Sequence, residues 1–388
     1  MTKPVFKPQN PRFSAGPTTK FKGWSFDQLS GALLGRSHRS ADAKARMKEV
    51  MDLTSELLNL PEGYKIAIMP GSDTGAFEAA MWNLLGGRGV DVFAWEAFGK
   101  NWITDAVDAL QLEDLRTFWA DYGQLPDLSQ AQKDRDIVFT WNGTTSGVKV
   151  PNADWIADDR TGLTLCDATS AVFAMELPWE KLDVTTYSWQ KVLGGEAQHG
   201  IIILSPRALK RLEEYTPSWP VPILFQLAKK GKINEAIFEA NTINTPSLMC
   251  IEDALIALKH VKESGGVAAM IKKSKSNLAV VQEWVDQTPW IEMVCEDPAN
   301  QSNTSLCVRI TGASYEALSE DEQTACVNKM VKMIEDEGAG YDFKAYRTAP
   351  NGFRIWGGMT IEADDIRALL PWIEWAYVEV VLNQAKAA

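Results

Sequence analysis

The feature that most constrains this chain is an alternation along its first two thirds. Short, largely apolar runs of strand type recur at intervals, with helical segments between them. Lys65–Met69 reads as a buried strand stopped by Pro70-Gly71, and Val90–Ala94, Asp136–Thr140, Leu163–Cys166, Thr185–Ser188 and Gly200–Leu204 follow. Helical patterns stand at Ala43–Leu58, Ala76–Leu85 and Pro206–Tyr215. Strands interleaved with helices predict an α/β fold with a mainly parallel sheet, helices on both faces, and ligands at the carboxyl ends of the strands. After Glu263-Ser-Gly-Gly266 the texture changes. A helix over Val267–Trp284, strands at Trp290–Cys295, Ser305–Ile310 and Arg354–Trp356, and helices over Asp321–Asp336 and Ala363–Leu382 predict a smaller α+β unit. The expected division is an N-terminal arm over 1–15, a large domain over 16–260 and a small domain over 261–388. The proline-rich arm is suited to docking on a neighbouring subunit.

Composition removes several classes. Thirty-nine basic against 51 acidic residues give a net charge of −12, which repels phosphate backbones and argues against a nucleic-acid partner. Five cysteines without a CxxC, and three histidines, give no disulfide framework and no metal site by spacing. The opening MTKPVFKPQNPRF has no apolar run of the signal-peptide kind, and no stretch approaches 18 apolar residues. A cytoplasmic protein without a membrane span is expected.

Three features stand at strand ends. Gly71-Ser-Asp-Thr-Gly75 joins a strand to a helix, where free amides and the helix dipole favour an anion. It is neither a Walker A loop nor a GxGxxG fingerprint. Asp167 ends the Leu163–Cys166 strand, and Lys191 follows an uncharged strand, Thr185-Thr-Tyr-Ser-Trp-Gln-Lys191, 24 residues beyond Asp167. Each alone has a plain structural reading: a capped turn, a turn aspartate, a lysine reaching solvent from a strand end. Together they match what pyridoxal 5'-phosphate needs: a phosphate cradle, a carboxylate for the pyridine nitrogen and an amine for the aldehyde. A nucleotide-binding module using the same turn, with Asp91 at a ribose, is the reading from another class; Pro70 and the glycine spacing count against it.

Further motifs sharpen this. Phe13-Ser-Ala-Gly-Pro17, Ser37-His-Arg-Ser40, Ser188-Trp-Gln-Lys191, Asn244-Thr-Pro246 and Gly352-Phe-Arg-Ile-Trp356 give a chain that resembles the fold-type I, class V pyridoxal-phosphate aminotransferases over nearly its whole length. The His-Arg pair and the Asn-Thr-Pro triplet resemble the phosphoserine-specific branch of that family. The resemblance implies transamination in serine biosynthesis, from glutamate to 3-phosphooxypyruvate, with a related vitamin B6 precursor as a conceivable second substrate. It implies Lys191 and Asp167 as catalytic residues. Asp73, Thr74 and Gln190 would serve the cofactor phosphate, Phe98 would stack on the ring, and Thr144 would face its hydroxyl. Asn244 and Thr245 would reach the phosphate of a neighbour's cofactor. Arg354 would bind the substrate α-carboxylate, and Arg347, with the neighbour's His38 and Arg39, the distal anion. The implied assembly is a homodimer with shared active sites, and the implied partners are small anionic amino and keto acids. Two positions depart from the family pattern: Thr74 stands where some members carry Arg, and Tyr346 where others carry His. An alanine– or serine–glyoxylate aminotransferase is the alternative within class V. A cysteine desulfurase is disfavoured, because Cys307 and Cys326 fall in a strand and a helix pattern.

Overall fold

The computed structural model describes residues 1–383. Along the chain come α1 (Ala41–Leu58), β1 (Lys65–Pro70), α2 (Ser72–Leu84), β2 (Val90–Ala94), α3 (Ala97–Thr104), β3 (Leu115–Trp119) and β4 (Asp136–Thr140). A small ribbon follows, β5 (Asn142–Gly143) and β6 (Val148–Lys149), then β7 (Thr164–Asp167), β8 (Val184–Ser188), β9 (His199–Leu204) and α4 (Pro206–Glu214). A second ribbon, β10 (Ala228–Lys229) and β11 (Lys232–Ile233), leads to α5 (Leu248–Glu263) and α6 (Gly266–Gln287). The last part holds β12 (Ile291–Met293), β13 (Ser305–Ile310), the one-turn α7 (Ala313–Glu316), α8 (Glu320–Asp336), β14 (Gly352–Trp356) and α9 (Ala363–Tyr377).

The central sheet has the order β1-β9-β8-β7-β4-β2-β3. Adjacent strands from β3 to β8 run parallel, and β9 opposes both of its neighbours. The mainly parallel sheet expected of a fold-type I enzyme is therefore present. Strands β2, β4, β7, β8 and β9 are buried at every position, as a sheet covered by helices on both faces requires. The edge strand β3 was not expected; it is half exposed and carries Arg116. That arginine and Arg135 hold Asp91, at 2.6–2.8 Å, with a further bond from the Gln132 amide. Asp91 is fully buried, so its carboxylate pins β2 to its surroundings and is not offered to a ribose.

The C-terminal part is built on an antiparallel sheet, β12-β13-β14. The closing helix runs as α-helix only to Tyr377 and widens into a π-helix over Val378–Leu382; residues 384–388 lie outside the described part. The N-terminal arm is tied down at several points, while Val5 and Phe6 stay exposed. It lies on its own chain: Phe6 O accepts from Trp372 Nε1 at 2.8 Å, the Gln9 amide donates to Asp365, and Phe13 exchanges backbone bonds with Tyr341 and Trp356. The apolar Phe13 and Ala15, both fully buried, draw the arm inward. No helix among the described residues is long and apolar enough to cross a membrane.

Candidate active site

The ends of β2, β7 and β8, together with the start of α2, converge at the carboxyl edge of the sheet. Lys191 sits in the turn after β8. It is 7% exposed and donates to the Ala15 carbonyl at 2.5 Å. The same arm braces the turn from outside, with Thr18 N bonded to Gln190 O at 2.8 Å and Thr18 Oγ1 to Lys191 O at 2.6 Å. Gly194, at φ +64°, lets the chain pass so close that a Cβ there would lie 2.5 Å from Thr19 O. Burial, and next the positive charge of Arg354, lower the Lys191 pKa to about 8, against the opposing pull of Asp167, Glu96 and Asp73.

Asp167 ends β7 and is buried. Its oxygens accept from Trp102 Nε1 at 3.2 Å and from the Thr169 amide at 3.1 Å. Asp73, in the first turn of α2, turns its carboxyl inward to Asp167 rather than outward along the turn, and its Oδ1 has no partner. The sequence places Asp73 in a phosphate cradle; the structure gives its side chain to the acid pair. Burial, and for Asp73 the neighbouring charge of Asp167, raise both pKa values, since two adjacent carboxylates out of water cannot both ionise freely. A cationic N–H is the natural guest of such a pair. The turn itself keeps its anion-binding character. The first helical bond of α2 is Gly75 N to Gly71 O, so the amides of Asp73 and Thr74 precede it, and Thr74 is exposed. Gly75 is required there, because a Cβ would stand 2.1 Å from Pro70 O.

Around this core, Phe98 is half buried at the start of α3. Its ring lies 6.2 Å from that of Tyr346, and Tyr346 is flanked by the guanidinium groups of Arg347 at 5.8 Å and Arg354 at 5.5 Å. Arg354 projects from β14, and its buried Nε has no acceptor. Gln190 Oε1 is likewise buried and unpartnered. Thr144 donates to Ser170 Oγ at 2.8 Å, in a hydroxyl network with Asn142, Thr304 and Ser305. The structure thus gathers Lys191, Asp167, Asp73, Thr144, Phe98, Gln190, Arg347 and Arg354 within one chain. It leaves His38, Arg39, Asn244 and Thr245 apart: Arg39 lies exposed before α1, where its amide bonds Ser37 Oγ at 3.2 Å, and Asn244 and Thr245 lie exposed before α5.

Two further groups belong to the site. Glu96, at the end of β2, caps α3 through Gly99 N at 2.7 Å and accepts from Thr145 Oγ1 at 2.8 Å; burial lifts its pKa to about 7. A glutamate closing an apolar strand, as Asp167 does, was the available signal. Tyr346 is the aromatic hub between two arginines, a role that nothing in the sequence pattern announces. Cys307 is buried, and burial pushes its thiol up to about 11, so it is held protonated and inert.

The family model for class-V aminotransferases matches residues 27–329, and the chain belongs to the class-V aminotransferases. Within that class it is 52% identical to a phosphoserine aminotransferase of Methanosarcina mazei over 375 residues, 97% of this chain and 99% of that one. A second, of Methanosarcina barkeri, is 50% identical with the same coverage. Among solved structures, a phosphoserine aminotransferase from Bacillus circulans matches with a TM-score of 0.77 at 19% identity, covering 95% of this chain and 98% of that one. An aspartate aminotransferase from Thermus thermophilus matches at 0.76 and 18% identity, covering 96% and 100%. At such identities the structures attest the fold, which serves several amino acids.

Proposed function

We propose that the protein is a pyridoxal-phosphate-dependent phosphoserine aminotransferase, exchanging the amino group between O-phosphoserine and 2-oxoglutarate and running from glutamate to 3-phosphooxypyruvate in serine synthesis. The substrate assignment is carried by the 52% identity to the M. mazei protein across nearly the whole chain. The cofactor assignment is supported by what the site lacks. A lysine of lowered proton affinity and a buried acid pair short of a cation suit an aldehyde and a ring N–H carried by one aromatic guest, and the unpartnered Arg354 Nε suits the carboxylate of a substrate beside it. When bound, pyridoxal phosphate supplies an aldehyde and an electron-withdrawing ring that acidifies the Cα–H of an attached amino acid. The chain's own residues hold and orient. Asp167 would meet the ring nitrogen, with Asp73 behind it. Phe98 would cover one face. The amides at the start of α2, Thr74 and Gln190 would meet the phosphate. Lys191 Nζ, about half neutral at pH 8 and shielded from water, would hold the aldehyde and later carry the proton taken from Cα. Arg354 would fix the α-carboxylate. Arg347 would meet the distal anion together with His38 and Arg39 of a second copy, in a homodimer whose exposed Asn244 and Thr245 also cross to the neighbouring site.

The test is a panel of kcat/KM values for phosphoserine, serine and alanine, each with 2-oxoglutarate and with glyoxylate. Phosphoserine with 2-oxoglutarate should lead. A charge-assisted hydrogen bond contributes about 1.5–3 kcal/mol, and each 1.4 kcal/mol is about one decade. Arg347→Ala should therefore cost phosphoserine roughly ten- to a hundredfold and leave alanine nearly unchanged, whereas Arg354→Ala should depress every donor alike. If alanine or serine with glyoxylate is faster than phosphoserine with 2-oxoglutarate, the glyoxylate-type reading replaces this one.

A further inference from the structure

At the opposite end of the sheet, where β4, β7 and β8 begin, lies a cavity of about 280 Å³ whose lining includes Arg88, Arg160, Arg207, Lys210 and Arg211. This end is a strand length, roughly 15 Å, from the carboxyl edge that carries Lys191. Five cations in one recess are notable in a chain of net charge −12. Part of the charge is spoken for. Asp136, fully buried, accepts from Arg211 at 2.9 and 3.1 Å and from the Leu163 amide at 2.7 Å. Asp183, also buried, is held by Arg160 at 3.2 Å, Arg207 at 3.1 Å, the Thr164 amide and Ser205 Oγ.

Those two carboxylates account for Arg211, Arg160 and Arg207. They do not account for the other two cations. Arg88 stands 3.9 Å from Asp136, at the limit of an ion pair, and bonds mainly to Asp134 O and Thr161 Oγ1. Lys210 reaches only Glu214 at 3.6 Å, and both are largely exposed. Five cations less the three acids Asp136, Asp183 and Glu214 leave two positive charges. Arg160, 6% exposed, lines the recess; its Nη atoms bond Ala157 O, Glu180 O and Asp183, and its buried Nε has no acceptor, so its charge faces the recess only partly compensated. Guanidinium forks match phosphate oxygens in pairs, and a local surplus of charge in a recess attracts a small anion whatever the net charge of the whole.

We propose that this recess is a second anion site, separate from the catalytic one, that binds a small phosphate-bearing polyanion through Arg88, Arg160 and Lys210, with Thr161 at its wall. The test is calorimetric titration of the protein as isolated with inorganic pyrophosphate, at fixed ionic strength. Lys210→Glu, at an exposed position that leaves the fold untouched, should weaken binding at least tenfold while turnover of amino donors stays within twofold. Thr161→Val should weaken it less, with charge conserved. Arg39→Ala, on the loop assigned to the catalytic site, should leave it as in the wild type. Equal affinity in wild type and Lys210→Glu, or loss of binding in Arg39→Ala, would overturn the proposal. Succinate binding as tightly as pyrophosphate would overturn the assignment to phosphate.

Discussion

The depressed proton affinity of Lys191 can be tested directly. An ordinary lysine amine titrates at 10.5, and this one at about 8. At pH 8 an unperturbed amine is neutral in ~0.3% of molecules, whereas here about half are neutral, a gain of roughly 150-fold in nucleophile. Burial is the main cause and Arg354 the second. The assay is the rate at which cofactor-free protein captures pyridoxal phosphate, followed by the yellow absorbance of the bound form between pH 6 and 10. The rate should climb about tenfold per unit below pH 8 and flatten above it. Arg354→Gln removes the neighbouring positive charge and should move the break upward; Asp167→Asn removes a negative one and should move it downward. Comparing variants with the wild type cancels the titration of the aldehyde reagent itself. The sign for stability follows from the same shift. The folded pKa lies below the unfolded one, so the cofactor-free protein should lose stability as pH falls from about 10.5 to 8, with no further loss from this group below that. A rate that climbs unbroken to pH 10, or a break indifferent to Arg354→Gln, would refute the reasoning.

Borohydride reduction of the yellow protein should leave the cofactor on the peptide bearing Lys191, and Lys191→Ala should abolish turnover; label on Lys181 or Lys210 would be the contrary result. For the shared site, mixed dimers of Lys191→Ala and Arg39→Ala chains should regain part of the lost activity, because one of the two sites would then be whole. Activity no higher than that of either parent would mean that each chain completes its own site.

Much of the fold was legible where burial is complete. The strands Val90–Ala94, Asp136–Thr140 and Ser305–Ile310 begin and end where the strand-type runs of the sequence do. β3 escaped because an edge strand needs only one covered face, and Arg116 in Leu115–Trp119 breaks the apolar run. The direction of β9 is silent in Gly-Ile-Ile-Ile-Leu, which would suit either orientation. It is set by the connection: the chain between Ser188 and His199 holds no helix, and a parallel neighbour needs a crossover, usually helical. In the site, Lys191 and Asp167 could be read because strand ends fix where they emerge. The inward turn of Asp73 could not, since a first-turn side chain takes its bearing from the neighbouring strand, β7. Nor could Tyr346 be foreseen as the partner of Phe98, because they meet only when β14's loop closes over α3. The arm was read as extended, but which chain it covers depends on burial of Phe13 and Ala15, which spacing does not specify.

The same contrast separates the residues proposed for the chemistry from those proposed to select the substrate. Lys191, Asp167 and Glu96 stand at strand ends or in the turns just beyond them, buried and hydrogen-bonded, so exchanging any of them disturbs a packed core. Arg39, Arg347, Asn244 and Thr245 are exposed on loops, and a change there costs the fold little. A scaffold so divided leaves exposed loop residues free to change while the buried groups at the strand ends are kept. That agrees with the nearly equal TM-scores, 0.77 and 0.76, to the phosphoserine aminotransferase from Bacillus circulans and the aspartate aminotransferase from Thermus thermophilus. Likeness of backbone is therefore blind to the substrate, and the weight of that assignment falls on the side chains of the rim. Tyr346 is the most informative of them. Its ring lies near Phe98 and near two arginines, so the residue proposed to cover the cofactor and the cations proposed for the substrate are joined through a single ring.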